Sequence, residues 1–156
     1  MWSKGQTFSA DFLIAACVFL SVTAIIYSYW FHTFSKIEEK RIVEDMSDKL
    51  FLLARIWSKE GYPIHWSAND VKELGLQNEH KLNSTKIVSL KELGYQKVKD
   101  LTGCGLYDFF FRVYNQTNHT IFQFGIFPQN ANYVLKTRRL GILNESMVMI
   151  DVILWK

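Results

Sequence analysis

The hydrophobic pattern of the chain begins with a continuous apolar segment over residues 12–31. Its sequence, FLIAACVFLSVTAIIYSYWF, is 20 residues long and contains no charged residue. A helix of this length spans the ~30 Å hydrocarbon core of a lipid bilayer. Aromatic side chains crowd its C-terminal end, as they do in the aromatic belts at membrane interfaces. The pattern therefore predicts one transmembrane helix.

Two other interpretations of this segment stay open from the sequence. A helix buried in a soluble core would need a large domain around it, and the ~120 residues that follow are few for that purpose. A removable secretory signal peptide would have a shorter apolar part and would end in small residues. This segment instead ends in bulky residues: Tyr27, Tyr29, Trp30 and Phe31.

The pattern changes to that of an amphipathic helix over residues 35–58, which contain no Gly or Pro. The apolar residues there recur at steps of four and three, on one helical face: Ile42, Met46, Leu50, Leu53 and Trp57. Acidic residues lie mostly on the other side. The combined pattern predicts one helix over residues 9–58, ~75 Å long at about 1.5 Å per residue. Gly61 and Pro63 are expected to end it.

Residues 69–102 indicate shorter elements. Ser84 or Ser89 is expected to cap a short helix, Gly94 should interrupt it, and another helical turn or two should follow. Beyond them, alternation with a period of two predicts four strands: residues 107–114, 120–127, 133–143 and 147–155. In the first strand Phe110 falls on the face opposite Phe109 and Phe111, and in the last strand Asp151 points away from the apolar face. The predicted fold class is α+β. A long N-terminal helix, membrane-spanning in its first half and amphipathic in its second, packs on a small C-terminal antiparallel β-sheet.

Composition narrows the function classes. The 156 residues carry a net charge of +3 with basic and acidic residues interleaved, so no nucleic-acid partner is expected. The four histidines lack metal-ligand spacing, and no nucleophile, metalloprotease or phosphate-binding motif occurs. The sequence therefore predicts no enzyme, catalytic residue, metal or cofactor. Cys17 lies in the apolar segment and Cys104 far outside it, so both are expected to be unpaired.

Four N-x-[ST] triplets follow the apolar segment, at Asn83, Asn115, Asn118 and Asn144. Such sequons accept N-linked glycans on exported surfaces. Positive residues on both sides of the segment do not favour a cytoplasmic N-terminus by their number. The sequons decide the orientation. They predict a cytoplasmic N-terminus and an extracellular C-terminal domain in a single-pass cell-membrane protein.

The chain opens with Lys4-Gly5-Gln6-Thr7-Phe8-Ser9-Ala10-Asp11, directly before the apolar helix. This junction resembles the class III signal peptide of archaeal type IV pilin-like proteins, in which a short basic leader ends in Lys/Arg-Gly and an acidic residue follows. The resemblance covers about the first 30 residues. It implies a pilin-like fold and cleavage by a prepilin-type peptidase between Gly5 and Gln6. One departure concerns Asp11, which would be sixth in the mature chain, whereas many pilins have the acidic residue fifth. Cleavage after Gln6 would restore that spacing.

The resemblance divides the chain into a leader peptide, residues 1–5, a transmembrane and assembly helix, residues 6–34, and a head domain, residues 35–156. It also implies a role for Asp11 in assembly, where the amine of a mature N-terminus would pair with its carboxylate. The alternative is an acidic residue at the lipid headgroups, stabilised by the helix dipole. The implied partners are membrane lipid, the peptidase, and like or related pilin subunits that bind through the N-terminal helix.

Two functions follow as hypotheses. The first is a structural subunit, major or minor, of a cell-surface filament or its assembly machinery. The second is a singly anchored extracellular binding or sensor domain that does not polymerise. Processing near Gly5 and Gln6 separates the two, because only the first needs it.

Overall fold

The computed structural model describes residues 4–156, with side chains from Ala10 onward. The chain divides into two compact units, Met1–Ile42 and Val43–Lys156. The first unit is helical throughout its described residues. The second combines helix and sheet, as the α+β prediction requires. The elements are α1 (Lys4–Arg55), followed by a 3₁₀ turn (Ile56–Ser58), β1 (Gln77–Asn78), β2 (Lys81–Leu82), α2 (Ser84–Leu93), α3 (Tyr95–Thr102), β3 (Asp108–Asn115), β4 (Thr120–Gly125), β5 (Val134–Leu143) and β6 (Ser146–Trp155).

The six strands form one sheet in the order β1-β2-β5-β6-β3-β4. Two hairpins, β3–β4 and β5–β6, supply its four long strands, and β6 joins them by pairing with β3 along its length. These pairings are antiparallel, as predicted. The small β1–β2 hairpin adds a parallel bridge in which Leu82 pairs with Leu143. Strands of two residues are too short to show a period in sequence, so this edge was not predicted.

The core lies between the last turns of α1 and one face of the sheet. Of the predicted stripe, Met46, Leu50 and Leu53 are buried on α1 and Trp57 is buried in the 3₁₀ turn, whereas Ile42 is only partly buried. The sheet contributes the inward residues of its two central strands: Phe109, Phe111 and Val113 from β3, with Val148, Ile150, Val152 and Leu154 from β6. The rings of Trp57 and Phe111 meet edge to face, with centroids 5.4 Å apart. Apolar burial on both elements explains why this part of α1 stays with the sheet.

The N-cap of the first helix in the middle segment lies one residue before the first predicted cap. Asn83 is the N-cap of α2, and its Oδ1 accepts hydrogen bonds from the backbone amides of Thr85 (2.9 Å) and Lys86 (3.2 Å). The prediction of Ser84 or Ser89 as cap was therefore wrong. Asparagine caps as well as serine does, and its longer side chain reaches two amides here. Gly94 separates α2 from α3, as expected.

Two glycines let the chain fold back on itself after α1. Gly61 has a φ of +79°, and a Cβ there would meet the carbonyl oxygen of Glu73 at 2.7 Å. A Cβ on Gly75 would lie 2.1 Å from the backbone nitrogen of Gly61. Trp66 is buried beside them, and its Nε1 donates to the Gly75 carbonyl at 2.7 Å. Trp66 therefore anchors the turn that follows α1, and the turn depends on this backbone contact.

Lys86 is a buried cation that ties the segments after α1 together. Its Nζ donates to the carbonyl oxygens of Glu60 (2.5 Å) and Gln77 (2.9 Å) and to the side chain of Asn78. Burial lowers the pKa of Lys86, and the charge of Glu60 partly opposes this. Because three oxygens surround the ammonium group, its hydrogen-bonding capacity is filled inside the fold.

Candidate functional site

The apolar segment of α1 presents its large side chains to the surroundings. Within the first unit these side chains are half or more exposed from Phe12 to Phe34, and Tyr27 reaches 74%. The most apolar 18-residue window has a mean hydropathy of 2.1. By length and composition, the helix can therefore cross a membrane. Exposed to water, such a surface would cost about 25 cal/mol for each Å². Burial in lipid or against another apolar surface would remove that cost.

Two hydroxyl groups in this segment, those of Ser21 and Thr23, are hydrogen-bonded to their own helix. Ser21 donates to the Cys17 carbonyl and Thr23 to the Phe19 carbonyl, each at 2.8 Å. Both bonds reach back four residues, as hydroxyls do in helices surrounded by lipid. A hydroxyl with such a bond carries no unsatisfied donor into an apolar environment. At these two positions the segment therefore presents no unsatisfied hydroxyl donor to its surroundings.

The predicted processing and assembly residues lie at the start of α1. Gly5 and Gln6 fall within the helix as Lys4–Arg55 bounds it, but their side chains lie outside the part of the chain that the structure describes. Asp11 is exposed, and among the described residues no ion pair to it is present. Cleavage between Gly5 and Gln6 and the pairing of Asp11 both stay predictions.

A charged cluster occupies the face of the sheet opposite the core. The carboxylate of Asp151, on the central strand β6, is paired with Lys136 (2.7 Å) and Arg138 (2.8 Å) of β5. The Tyr114 hydroxyl lies 3.4 Å from the same carboxylate. Burial raises the pKa of Asp151, but the bonds from Arg138 and Lys136 outweigh it and leave that pKa below its ordinary value.

The ring of Tyr114 lies between two arginines of this cluster. The guanidinium carbons of Arg112 and Arg138 are 4.9 and 5.7 Å from its centroid. Arg112 donates only to neutral acceptors, the Thr120 hydroxyl and the oxygens of Asn118. Three cations around one carboxylate leave two net positive charges at the centre of this face. The arrangement contains no nucleophile paired with a base, but it can attract an anion.

Sequence reasoning found this face only in part. The alternation of β6 placed Asp151 away from the core, and that prediction is confirmed. The burial of Asp151 was missed, because it depends on which residues of β3 and β5 lie beside it. Arg112 and Arg138 both pair in register with Asp151. A signal was available in retrospect, since one acidic residue in an otherwise apolar strand needs cationic neighbours.

The remaining reactive groups show no catalytic arrangement. Among the described residues, no three His, Cys, Asp or Glu side chains come together as a metal site would require. Neither cysteine forms a disulfide; Cys17 is exposed and Cys104 buried. Burial raises the pKa of the Cys104 thiol, so it is a poor nucleophile at neutral pH.

The chain was compared with known proteins in three ways. No protein-family model, no curated protein and no solved structure matches it. The long apolar helix and the mostly antiparallel sheet are compatible with a pilin-like shape. A relation to pilin-like proteins therefore has only the resemblance of the N-terminal sequence behind it.

The Asp151 cluster predicts an acid-dependent part of the stability. A carboxylate whose pKa is lowered in the folded state stabilises the fold at pH values above its unfolded pKa, which is near 3.8. This stabilisation is lost as the pH falls through the lower pKa of the folded state. We expect Asp151→Asn to lower the free energy of unfolding by about 2 kcal/mol at pH 7, the scale of hydrogen bonds to a charged group. Guanidinium unfolding of the full chain in detergent, from pH 7 to pH 2, measures the difference.

The matched control is Asp48→Asn, which removes an exposed carboxylate of α1. We expect it to change the unfolding free energy little at any pH. The difference between wild type and Asp151→Asn should shrink below pH 4, because the wild-type carboxylate then becomes protonated too. A difference that stays constant down to pH 2 would show that the ion pairs contribute nothing.

Proposed function

We propose that this protein is a pilin-like structural subunit, major or minor, of a cell-surface filament or of its assembly machinery. One observation carries the proposal. The helix that exposes the apolar segment, α1, is assigned without a break from Lys4 to Arg55, and its last turns form the core of the second unit. In an anchored module on a flexible linker, the helix would be expected to end soon after the membrane. A single helix serving both parts is what a filament subunit needs.

The proposed location is the cell membrane of an archaeon, with the N-terminus in the cytoplasm and residues 43–156 outside. A prepilin-type peptidase would then cut between Gly5 and Gln6, removing the leader and keeping the helix. The freed helix would exchange lipid for the helices of other subunits. Small residues in the segment allow close approach of such helices: Ala15, Ala16, Ser21 and Ala24.

Asp11 has a defined task in this proposal. It precedes the apolar segment directly, and a carboxylate moved into a bundle of apolar helices is costly unless a cation pairs with it. Cleavage creates such a cation, the amine of the new N-terminus. The pairing of Asp11 with the amine of a neighbouring subunit would fix the axial position of one helix against the next.

Processing provides the test. We expect the full-length protein, produced in an archaeal cell that has a prepilin-type peptidase, to yield a mature chain that begins at Gln6. The variant Gly5→Leu should keep its original N-terminus, because the peptidase needs the small residue at the junction. Asp11→Ala should be cut but should fail to enter filaments. Mass spectrometry of the N-terminal peptide and of sheared surface filaments measures both results.

The control for both variants is Ser9→Ala, which alters the same helical region without touching the junction or the carboxylate. It should be processed and assembled like the wild type. An intact N-terminus in the wild-type protein, or a mature chain that begins far from Gln6, would overturn the pilin-like assignment.

The second candidate is a singly anchored extracellular binding domain that never polymerises. The observation in its favour is the positive outer face around Arg112, Tyr114 and Arg138, which fits an anionic partner. In that case the chain would stay uncut, and Asp11→Ala would leave its surface amount unchanged.

A further inference from the structure

The four sequons of the chain converge on one end of the sheet. Asn115 is the last residue of β3, and Asn118 lies in the turn that follows it. Asn144 lies in the turn between β5 and β6. Because Asn115 pairs with Val148, near the start of β6, the two turns are neighbours. A cleft of about 320 Å³ lies between them, bordered by both turns.

The fourth sequon joins the others through the parallel bridge. Leu82 pairs with Leu143 in parallel orientation. The residues that come next in the chain, Asn83 and Asn144, therefore lie at the same end of the sheet. Tyr107 precedes β3 and marks the opposite end, about 25 Å away at ~3.3 Å per residue. There the Tyr107 hydroxyl donates to Asp45 of α1 at 2.6 Å. No sequon lies at that end in the described chain.

The side-chain chemistry of these asparagines leaves the acceptor nitrogen available. The Oδ1 atom accepts the hydrogen bonds: from two amides at Asn83, from the Thr117 hydroxyl and the His119 amide at Asn115, and from Arg112 at Asn118. Within the described residues, no hydrogen bond engages Nδ2 in any of the three. Asn118 and Asn144 are exposed. A glycan on Nδ2 would leave the bonds to Oδ1 in place.

The hydroxyls of Thr117 and Thr120 have hydrogen-bond partners within the fold, but the structure gives no such reason for the hydroxyls that follow Asn83 and Asn144. Asn83 caps a helix, and Asn118 and Asn144 have φ values of +62° and +49°, which asparagine tolerates well. Thr85 and Ser146 are exposed, and their hydroxyls form no hydrogen bond among the described residues. The loop at the opposite end also has exposed asparagines, Asn130 and Asn132, and neither has a hydroxyl two residues later.

We infer that this end of the sheet, formed by Asn83, Asn115, Asn118 and Asn144 and here named the acceptor end, is a single glycan-bearing surface. The inference rests on the part of the proposed function that places residues 43–156 outside the cell. The donor is a lipid-phosphate-linked sugar. A C–N bond forms between its anomeric carbon and Nδ2, the C–O bond to the phosphate breaks, Nδ2 loses one proton, and the lipid phosphate leaves. No oxidation or reduction occurs.

The test maps sugars on the folded, full-length protein, produced in a host whose surface proteins carry N-linked glycans. We expect glycopeptide mass spectrometry to find sugar at Asn118 and Asn144, the exposed pair, and at Asn83, which is followed by the exposed Thr85. Thr85→Ala and Ser146→Ala should remove the sugar from Asn83 and Asn144, whereas the matched variants Thr85→Ser and Ser146→Thr should keep it. Asn83→Asp should lose the sugar and keep the helix cap.

Protease treatment of intact cells separates the two ways to fail. If external protease digests residues 43–156 and all four asparagines are still unmodified, the acceptor end is refuted while the orientation stands. If residues 43–156 are protected inside the cell, the proposed orientation fails and this inference fails with it. A sugar-bearing protein with an uncut N-terminus would support the acceptor end and overturn only the filament subunit.

Discussion

Replacing Gly75 with alanine is expected to destabilise the second unit by at least about 3 kcal/mol, the upper part of the range for an overpacked core. The new Cβ would lie 2.1 Å from the nitrogen of Gly61 and 2.5 Å from the carbonyl carbon of Glu60. Both are backbone atoms, so no change of rotamer relieves the clash. The turn after α1 must move away, and the Trp66 bond to the Gly75 carbonyl would move with it.

The measurement is guanidinium unfolding of the full chain in detergent, followed by near-UV circular dichroism. Gly103→Ala provides the control. Gly103 has a positive φ, +65°, which Gly75 does not, but a Cβ added there would meet no atom of the described residues within 4 Å. This variant should lose only the stability that a residue with a Cβ gives up in the left-handed conformation, about 1 kcal/mol. Equal losses in the two variants would show that the close approach of Gly61 and Gly75 is not what requires glycine at position 75.

Removing the aromatic ring of Phe109 is the second large change. Phe109 is fully buried, its ring stacks on Tyr95 at 4.8 Å, and it contacts the rings of Phe111 (4.8 Å) and Phe124 (6.1 Å). Phe109→Ala would delete those contacts and leave a cavity between α3 and the sheet. We expect a loss of about 3–5 kcal/mol, as in other Phe→Ala changes in cores.

The same unfolding experiment measures this loss, and Phe51→Ala is its control. Phe51 belongs to α1, is 60% exposed, and its described ring contact is with Arg139 at 6.0 Å. Its truncation should cost about 0.5–1 kcal/mol. If Phe109→Ala unfolded at the same denaturant concentration as Phe51→Ala, the aromatic cluster would not be the centre of the core.

Much of the fold could be predicted because its signals are periodic. The stripe of Met46, Leu50 and Leu53 and the alternation of β3 and β6 each follow a spacing that one element imposes. Phe110 shows the limit of that reasoning. Its position in β3 assigned it to the outer face, yet it is buried, because the ring of Phe127 covers it edge to face at 5.3 Å. A contact from a loop leaves no period in the sequence.

The candidate sites show the same division. Each sequon is visible in the sequence, and so is the apolar segment before them. Their convergence was not visible, since it depends on the bridge of Leu82 to Leu143 and on the pairing of Asn115 with Val148. Likewise, the burial of Lys86 depends on carbonyl groups from two loops. The register of the strands and the path of the loops depend on the whole fold, so local sequence patterns do not predict them.

The internal bonds of Ser21 and Thr23 have a consequence for any movement of α1 between environments. These two hydroxyls keep their bonds to carbonyls of their own helix when it leaves lipid, and they need no partner on a neighbouring helix. The two states then differ mainly in how well surfaces fit, since lipid chains and apolar side chains are about equally nonpolar. Exchange of this segment between bilayer and protein would be close to balanced, and small differences in shape would decide its direction.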